Sequence, residues 1–262
     1  MSPFLDLPLR SGKPRERGIT HVLDSGLSVA EVESLMEVAG EAVDLVKLGW
    51  GTALVSANLE AKLACYRAHE IPVVLGGTLT ELAIAQDRVD GLVAWLRELG
   101  LRHVEISDGT IALPHERKLE LIERLAAEFT VLSEVGSKDE EAIMAPYVWV
   151  AQIESELAAG AWKVIAEARE SGTAGIYRAN GEPRTGLIDE VVHAIPHDRL
   201  LFEAPRKAQQ VWFLRHFGID VNLGNIAPHD VLSLETLRLG LRADTAGNGI
   251  PSEPILPEQR ER

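Results

Sequence analysis

Three glutamates stand where an apolar strand has no use for a charge. Glu105 lies in HVEISDG (103–109), Glu134 in TVLSEVG (130–136) and Glu167 in WKVIAEAR (162–169), each in a similar register within an otherwise apolar run. Carboxylates that converge in a confined space cannot all stay ionised without compensation. A hard divalent cation such as Mg²⁺ supplies it and is bound by carboxylates together with water and substrate oxygens. The competing reading is an ion network with Lys47, Arg169 or Lys138. Lys47, in VDLVKLGW (43–50), is predicted inside a strand, where a lysine needs a partner. It either binds an anionic substrate or neutralises a neighbouring glutamate. Lys138, in SEVGSKDEE, follows a predicted strand on a loop. Asp24, Arg169, Glu203, Asn222 and Asn225 also fall in or near the C-terminal parts of apolar runs, and Asp108 lies near the end of the run 103–109.

Two turns add a second kind of chemistry. LGWGT (48–52) and LGGT (75–78) each pass from a strand through Gly and Thr into a helix. Backbone N–H groups at Gly51, Thr52, Gly77 and Thr78 would then face an anion at a helix N-terminus. The eight histidines show no HExxH-like spacing, and His115, His193, His197 and His229 read as surface residues. Cys65 is the only cysteine, so the chain forms no internal disulfide and no thiolate metal cluster. Its setting in AKLACYRAH predicts a buried thiol on a helix, and Trp162 and Trp212 read as core.

The elements that must position these groups alternate along the chain. Eight runs read as buried strands: 18–24, 43–50, 72–77, 103–109, 130–136, 162–169, 200–205 and 220–226. Between them lie segments of helical periodicity such as SVAEVESLMEVAG and HERKLELIERLAAEF. Eight βα units in about 230 residues predict a single-domain (β/α)8 TIM barrel, in which strand C-termini converge on one catalytic face. A doubly wound open sheet is the competitor, and no strand is followed by the GxGxxG that would favour it. Residues 1–12 read as a leader, 13–245 as the barrel, and 246–262 as a disordered or surface-draped tail rich in Pro, Gly and charge. The net charge of −14 argues against nucleic-acid and anionic-membrane partners. With no signal-like leader and no apolar run of roughly 18 residues, a cytoplasmic location is expected.

The segments KPRERGITHVLDSG, VDLVKLGWGT, VVLGGTLTE, VEISDGTI, LSEVGSK, EARESGTAGIY, FEAPRKAQQ and VNLGNIAPHDVLSLETLRLGLRADT together resemble the phosphosulfolactate synthase family, in that order, over residues 13–245. The resemblance implies a (β/α)8 barrel and Mg²⁺-dependent addition of sulfite to C3 of phosphoenolpyruvate, the first step of coenzyme M biosynthesis. It implies Glu105, Glu134 and Glu167 as metal ligands, directly or through water, and Lys138 as the proton donor to C2. Lys47, Arg169 and the turns at Gly49–Thr52 and Gly76–Thr78, with Gly51, Thr52, Gly77 and Thr78 as the chosen residues, would hold phosphate, carboxylate or sulfite. Asn222 and Asn225 would join them after the last strand. Asp24, Asp108 and Glu203 remain alternatives to the three glutamates. The family also implies a homo-oligomer, with a trimer as the expected form.

Two other functions compete with sulfite addition. One is a related Mg²⁺ barrel enzyme that adds a different nucleophile to phosphoenolpyruvate. The other is a non-catalytic, stress-associated member of the same family, against which the intact set Glu105, Glu134, Lys138, Glu167 and Arg169 argues.

Overall fold

The computed structural model describes residues 4–136, 144–169 and 171–246. Eight parallel strands close into one barrel in sequence order: β1 (Thr20–Asp24), β2 (Leu45–Leu48), β3 (Val73–Leu75), β4 (His103–Ile106), β5 (Thr130–Val135), β6 (Lys163–Ala166), β7 (Leu200–Glu203) and β8 (Leu223–Ile226). All eight predicted runs are strands, each shorter than the apolar run that announced it. The open-sheet alternative falls with the closure of β1 onto β8. The expected tail lies, except for Gly247's neighbour Ala246, outside the described residues.

Both faces of each strand are covered, so the strands are nearly continuous in apolar residues. Their outer face packs under the helices, with Val46, Leu48, Val104, Val131, Val164 and Phe202 in the large core. Their inner face fills the barrel with Ile19, Leu45, Val74, Leu132, Ile165 and Leu201. Side chains two residues apart on a strand share a face. Two residues beyond Leu45, Leu132, Ile165 and Leu201 stand Lys47, Glu134, Glu167 and Glu203. One layer of apolar side chains therefore carries, directly above it, a layer of ionisable ones.

The connecting helices start where their sequences provide caps. Ser28 caps the helix Val29–Ala39, and the Glu31 carboxylate accepts the Ser28 N–H at 2.8 Å in return, a reciprocal capping box. The helix His115–Ala126 buries Ile122 and Leu125 on one face. Arg10, in the segment read as a leader, meets Glu235 at 3.0 Å and the Gly18 carbonyl at 2.9 Å under the N-terminal end of the barrel. Cys65 is only half-buried against the core, and Trp162 and Trp212 are likewise partly exposed, because each lies at the edge of its packed face.

Candidate active site

The strand C-termini surround a cavity of about 250 Å³ lined by Leu23, Lys47, Gly49, Trp50, Gly76, Gly77, Thr78, Glu105, Thr110, Glu134, Glu167, Arg169, Glu203 and Asn225. Lys47, 6% exposed, is the cation around which the carboxylates gather. Its Nζ lies 3.2 Å from Glu203 Oε1 and 3.4 Å from Glu105 Oε2. Burial works against its charge, but Glu105, Glu203, Glu134 and Glu167 outweigh burial and hold its pKa well above the ordinary lysine range. Lys47 is thus a fixed positive charge rather than a proton donor near neutral pH.

The two glutamates on Lys47 differ in how they are hydrogen-bonded, although each sets one oxygen against its ammonium. Glu203 is used on both oxygens, because Oε2 accepts the Ala168 N–H at 3.0 Å while Oε1 faces Lys47. Glu105 accepts the Gly77 N–H at 2.6 Å on Oε1, and its buried Oε2 makes no hydrogen bond. Burial pushes the Glu105 carboxyl up to about 7, Lys47 opposing and Glu134 adding to the rise. Burial likewise raises Glu203. Glu167 accepts the N–H of Arg169, which turns the chain at the end of β6.

β8 reaches the mouth through an irregularity. Thr20 pairs with Leu223 and Val22 with Ile226, so β8 carries one extra residue against β1. Such a bulge re-aims a side chain. Here it brings Asn225, at φ 54°, into the cavity lining, with its buried Oδ1 lacking a hydrogen-bond partner. Trp50 (φ 54°) and Arg169 (φ 56°) line the same cavity in the same left-handed conformation. Non-glycine residues in that region cost energy and cluster at functional sites.

Of the sequence-predicted residues, Lys47, Gly77, Thr78, Glu105, Glu134, Glu167, Arg169 and Asn225 meet at this mouth. Asn222 does not. Its amide donates to the carbonyls of Asp198 and Leu200 and its Oδ1 accepts the Ile19 N–H, which spends it at the N-terminal end of the barrel. Of the turn Gly49–Thr52, Gly49 and Trp50 line the cavity while Gly51 and Thr52 stand one step back, and the Thr52 hydroxyl donates to the Gly49 carbonyl at 2.8 Å. The Gly77 N–H, expected for an anion, is taken by Glu105. Lys138 lies outside the described residues. Asp24 is engaged away from the mouth by Lys62 at 3.0 Å, by Tyr66 at 3.0 Å and by the N–H groups of Gly26 and Leu27.

Sequence reasoning passed over Thr110 as a lining residue, and His21, a fully buried imidazole on β1 whose ring nitrogens have no hydrogen-bond partner. Strand alternation was the available signal for His21, which falls on the same face as Ile19 and Leu23. Thr110 carried no signal, since a loop threonine acquires its place only through tertiary contacts. A larger void of about 810 Å³ lies at the opposite end of the barrel, beside Arg15, Asp44, His103 and Trp162. There Arg15 pairs with Asp44 at 2.8 Å, and Lys13 donates to the Gly40 carbonyl at 2.6 Å.

Residues 8–244 match the (2R)-phospho-3-sulfolactate synthase family. The chain belongs to this family. It is 41% identical over 244 residues to phosphosulfolactate synthase of Bacillus subtilis, covering 92% of this chain and 97% of that one. The same enzyme of Methanothermobacter thermautotrophicus is 44% identical over 246 residues, with 92% and 95% covered. The chain is accordingly an enzyme of the phosphosulfolactate synthase family. Among solved structures, the barrel is similar to the YdjI aldolase of Escherichia coli K12, with a TM-score of 0.53 at 12% identity over 85% of this chain and 82% of that one. N-acetylneuraminate lyase of Mycoplasma synoviae gives a TM-score of 0.53 at 11% identity over 88% and 76%. These two likenesses concern the fold alone. Among the described residues no helix is long and apolar enough to cross a membrane.

Whether the Mg²⁺ expected from the sequence resemblance suits this mouth is a matter of its donors. Among the described residues no three His, Cys, Asp or Glu side chains form a group able to hold an ion unaided. The glutamates share one mouth without forming such a cluster. Mg²⁺ is commonly bound by one or two carboxylates with water and substrate oxygens completing the octahedron. Glu105, whose Oε2 makes no hydrogen bond and lies 3.4 Å from Lys47 Nζ, stands near Glu134 in an acidic cavity, and a pair of carboxylates there fits that mode.

Proposed function

We propose that this enzyme adds sulfite to C3 of phosphoenolpyruvate and yields (2R)-2-O-phospho-3-sulfolactate, with Mg²⁺ as its cofactor. The observation that carries the reading is the layer of Glu105, Glu134, Glu167 and Glu203 around the buried cation Lys47, in a chain of this family. The cavity suits a small anion, and the surplus of carboxylates requires that some counter-charge accompany it.

In this reaction the sulfur lone pair of sulfite forms the C3–S bond. The C2–C3 π pair moves toward the substrate carboxylate, and a proton delivered to C2 completes the product. Glu105, with Glu134 and Glu167 directly or through water, would hold Mg²⁺, whose charge stabilises the substrate carboxylate as electrons move onto it. Lys47 remains protonated throughout, its charge offsetting the carboxylates that flank it. Arg169, Thr78, Asn225 and the Trp50 indole are among the lining groups able to donate hydrogen bonds to phosphate or sulfonate oxygens. Lys138 is the proposed donor to C2, since Lys47 is held too firmly by its glutamates to release a proton. A proton on one face only sets the R configuration.

Incubation of the purified protein with phosphoenolpyruvate and sulfite, with Mg²⁺ or with EDTA, tests the reading by mass spectrometry of the product. Phosphosulfolactate in the Mg²⁺ sample alone is expected. Equal product in EDTA would remove the metal from the reading. No product in either, with phosphoenolpyruvate still protecting the protein against heat, would replace sulfite with another nucleophile.

A further inference from the structure

The segment that follows β4 is gripped from two sides by buried charge. Glu81, fully buried on the helix Gly77–Ala85, accepts from four donors of this one loop. Ser107 Oγ and the Gly109 N–H (3.2 Å) donate to Oε1, and the Thr110 N–H (2.8 Å) and Thr110 Oγ donate to Oε2. From the other side Lys118, 1% exposed on the helix His115–Ala126, reaches Asp108 at 3.1 Å, the Glu134 carbonyl at 2.6 Å and Glu156 at 2.9 Å.

A carboxylate accepts at about four lone-pair sites and donates at none, so it suits four converging donors where a glutamine does not. Burying such a group is costly unless it is fully paired. A helix that only had to pack would carry an apolar residue at this position. The four loop partners belong to a segment in which Thr110 lines the cavity. A second line of contact leads to the centre of the site. A Cβ on Gly77 would lie 2.2 Å from Ser107 Oγ and 3.1 Å from Glu105 Oε1, so the residue Glu81 holds is packed against the one whose N–H orients Glu105.

We infer that Glu81 is a positioning residue for the reaction: it holds the loop Ser107–Thr110 so that Thr110 forms one wall of the substrate cavity and Ser107 keeps Gly77 on Glu105. Lys118 anchors the same loop through Asp108 and ties it to the end of β5 that carries Glu134. The catalytic consequence rests on the mouth being the substrate site of the proposed reaction. The clamp itself does not.

Two readouts separate those levels. By amide hydrogen exchange followed by NMR, Glu81→Gln is expected to speed exchange at Gly109 and Thr110 by at least about tenfold, with the β4 amides 103–106 unchanged. Unchanged protection at Gly109 and Thr110 would overturn the clamp whether or not turnover is seen. In assays with phosphoenolpyruvate, sulfite and Mg²⁺, Glu81→Gln is expected to lower kcat by about 10²-fold, the loss an ångström of misplacement produces. In a double-mutant cycle with Thr110→Ala, the double variant should be no worse than about threefold below the poorer single one. Additive losses would show that Glu81 does not act through the loop. Arg238→Met, at the other end of the barrel, controls for instability and should lower the melting temperature while sparing loop exchange and KM. If Glu81→Gln does not fold, Glu81→Asp, which keeps the charge but falls a methylene short, is read by the same criteria. A parent protein without turnover would defeat the functional reading, and the exchange data would still decide the clamp.

Discussion

At the scale of single residues, the site is an arrangement of unequal carboxylates around one amine. Lys47 compensates Glu203 and Glu105 inside the barrel, and removing one partner of a buried ion pair leaves the other charge stranded. Lys47→Met is therefore expected to cost about 3–5 kcal/mol in urea unfolding and to abolish turnover. Glu105 gives a pH signature of its own. Its folded-state pKa, about 7, lies above the ordinary value of 4.5. The contribution is then fully present below 4.5 and is lost as pH rises through 7, because the folded protein holds a proton that the unfolded chain has released. Without divalent cations, the melting temperature should fall between pH 5.5 and 8, by about a few degrees, and Glu105→Gln should flatten that slope. An unchanged slope in the variant would assign the titration to another group. A metal at Glu105 must displace the same proton, so Mg²⁺ protection against heat is expected to strengthen as pH rises through this range.

At the scale of elements, one extra residue in β8 and one glycine after β3 decide what reaches the cavity. Asn225 is left-handed and its amide oxygen is buried without a partner. Asn225→Gly keeps that backbone at no steric cost and deletes the amide. It should melt within a few degrees of the parent and lose about tenfold or more in kcat/KM if the amide meets substrate. Asn225→Val strains the same backbone as well, and should be less stable than Asn225→Gly by about 1–2 kcal/mol. Gly77 is needed for closeness rather than for its φ. A methyl there would overlap Ser107 Oγ and Cβ, at 2.2 and 2.8 Å, and crowd Glu105. Gly77→Ala should lower activity more than stability, as kinetics compared with thermal unfolding would reveal. Equal activity would mean that Ser107 and Glu105 can move without consequence.

At the scale of the whole molecule, the barrel separates support from chemistry along its axis. The inner apolar layer of Ile19, Leu45, Val74, Leu132, Ile165 and Leu201 lies directly beneath the ionisable one. A cavity made in this layer should be felt mainly as stability. Leu132→Ala is expected to cost about 2–5 kcal/mol in urea unfolding, with KM for phosphoenolpyruvate within about twofold of the parent. A large change in KM would mean that the plug also sets the height of the carboxylates above it.

The sequence by itself determined the barrel and most of the ring at its mouth. Strands buried on both faces must be apolar at both parities, so Lys47, Glu105, Glu134 and Glu167 were legible as exceptions, and their repetition across successive strands placed them at one end. Local pattern also located Gly77–Thr78 and Asn225. It could not locate Asn222 at the opposite end of its strand, because the four positions from Asn222 to Asn225 run across the barrel from floor to mouth and a bulge breaks their alternation. Only the tertiary structure decided that Glu203 rather than solvent faces Lys47, that the Gly77 N–H belongs to Glu105, and that Glu81 and Lys118 grip one loop. Glu81 and Lys118 read as ordinary charges on helices, since a helix displays every residue at some angle and sequence does not say what lies opposite. The strand fixes a side chain's face through its own geometry, whereas a helix side chain or a loop N–H acquires its partner only when distant segments close around it.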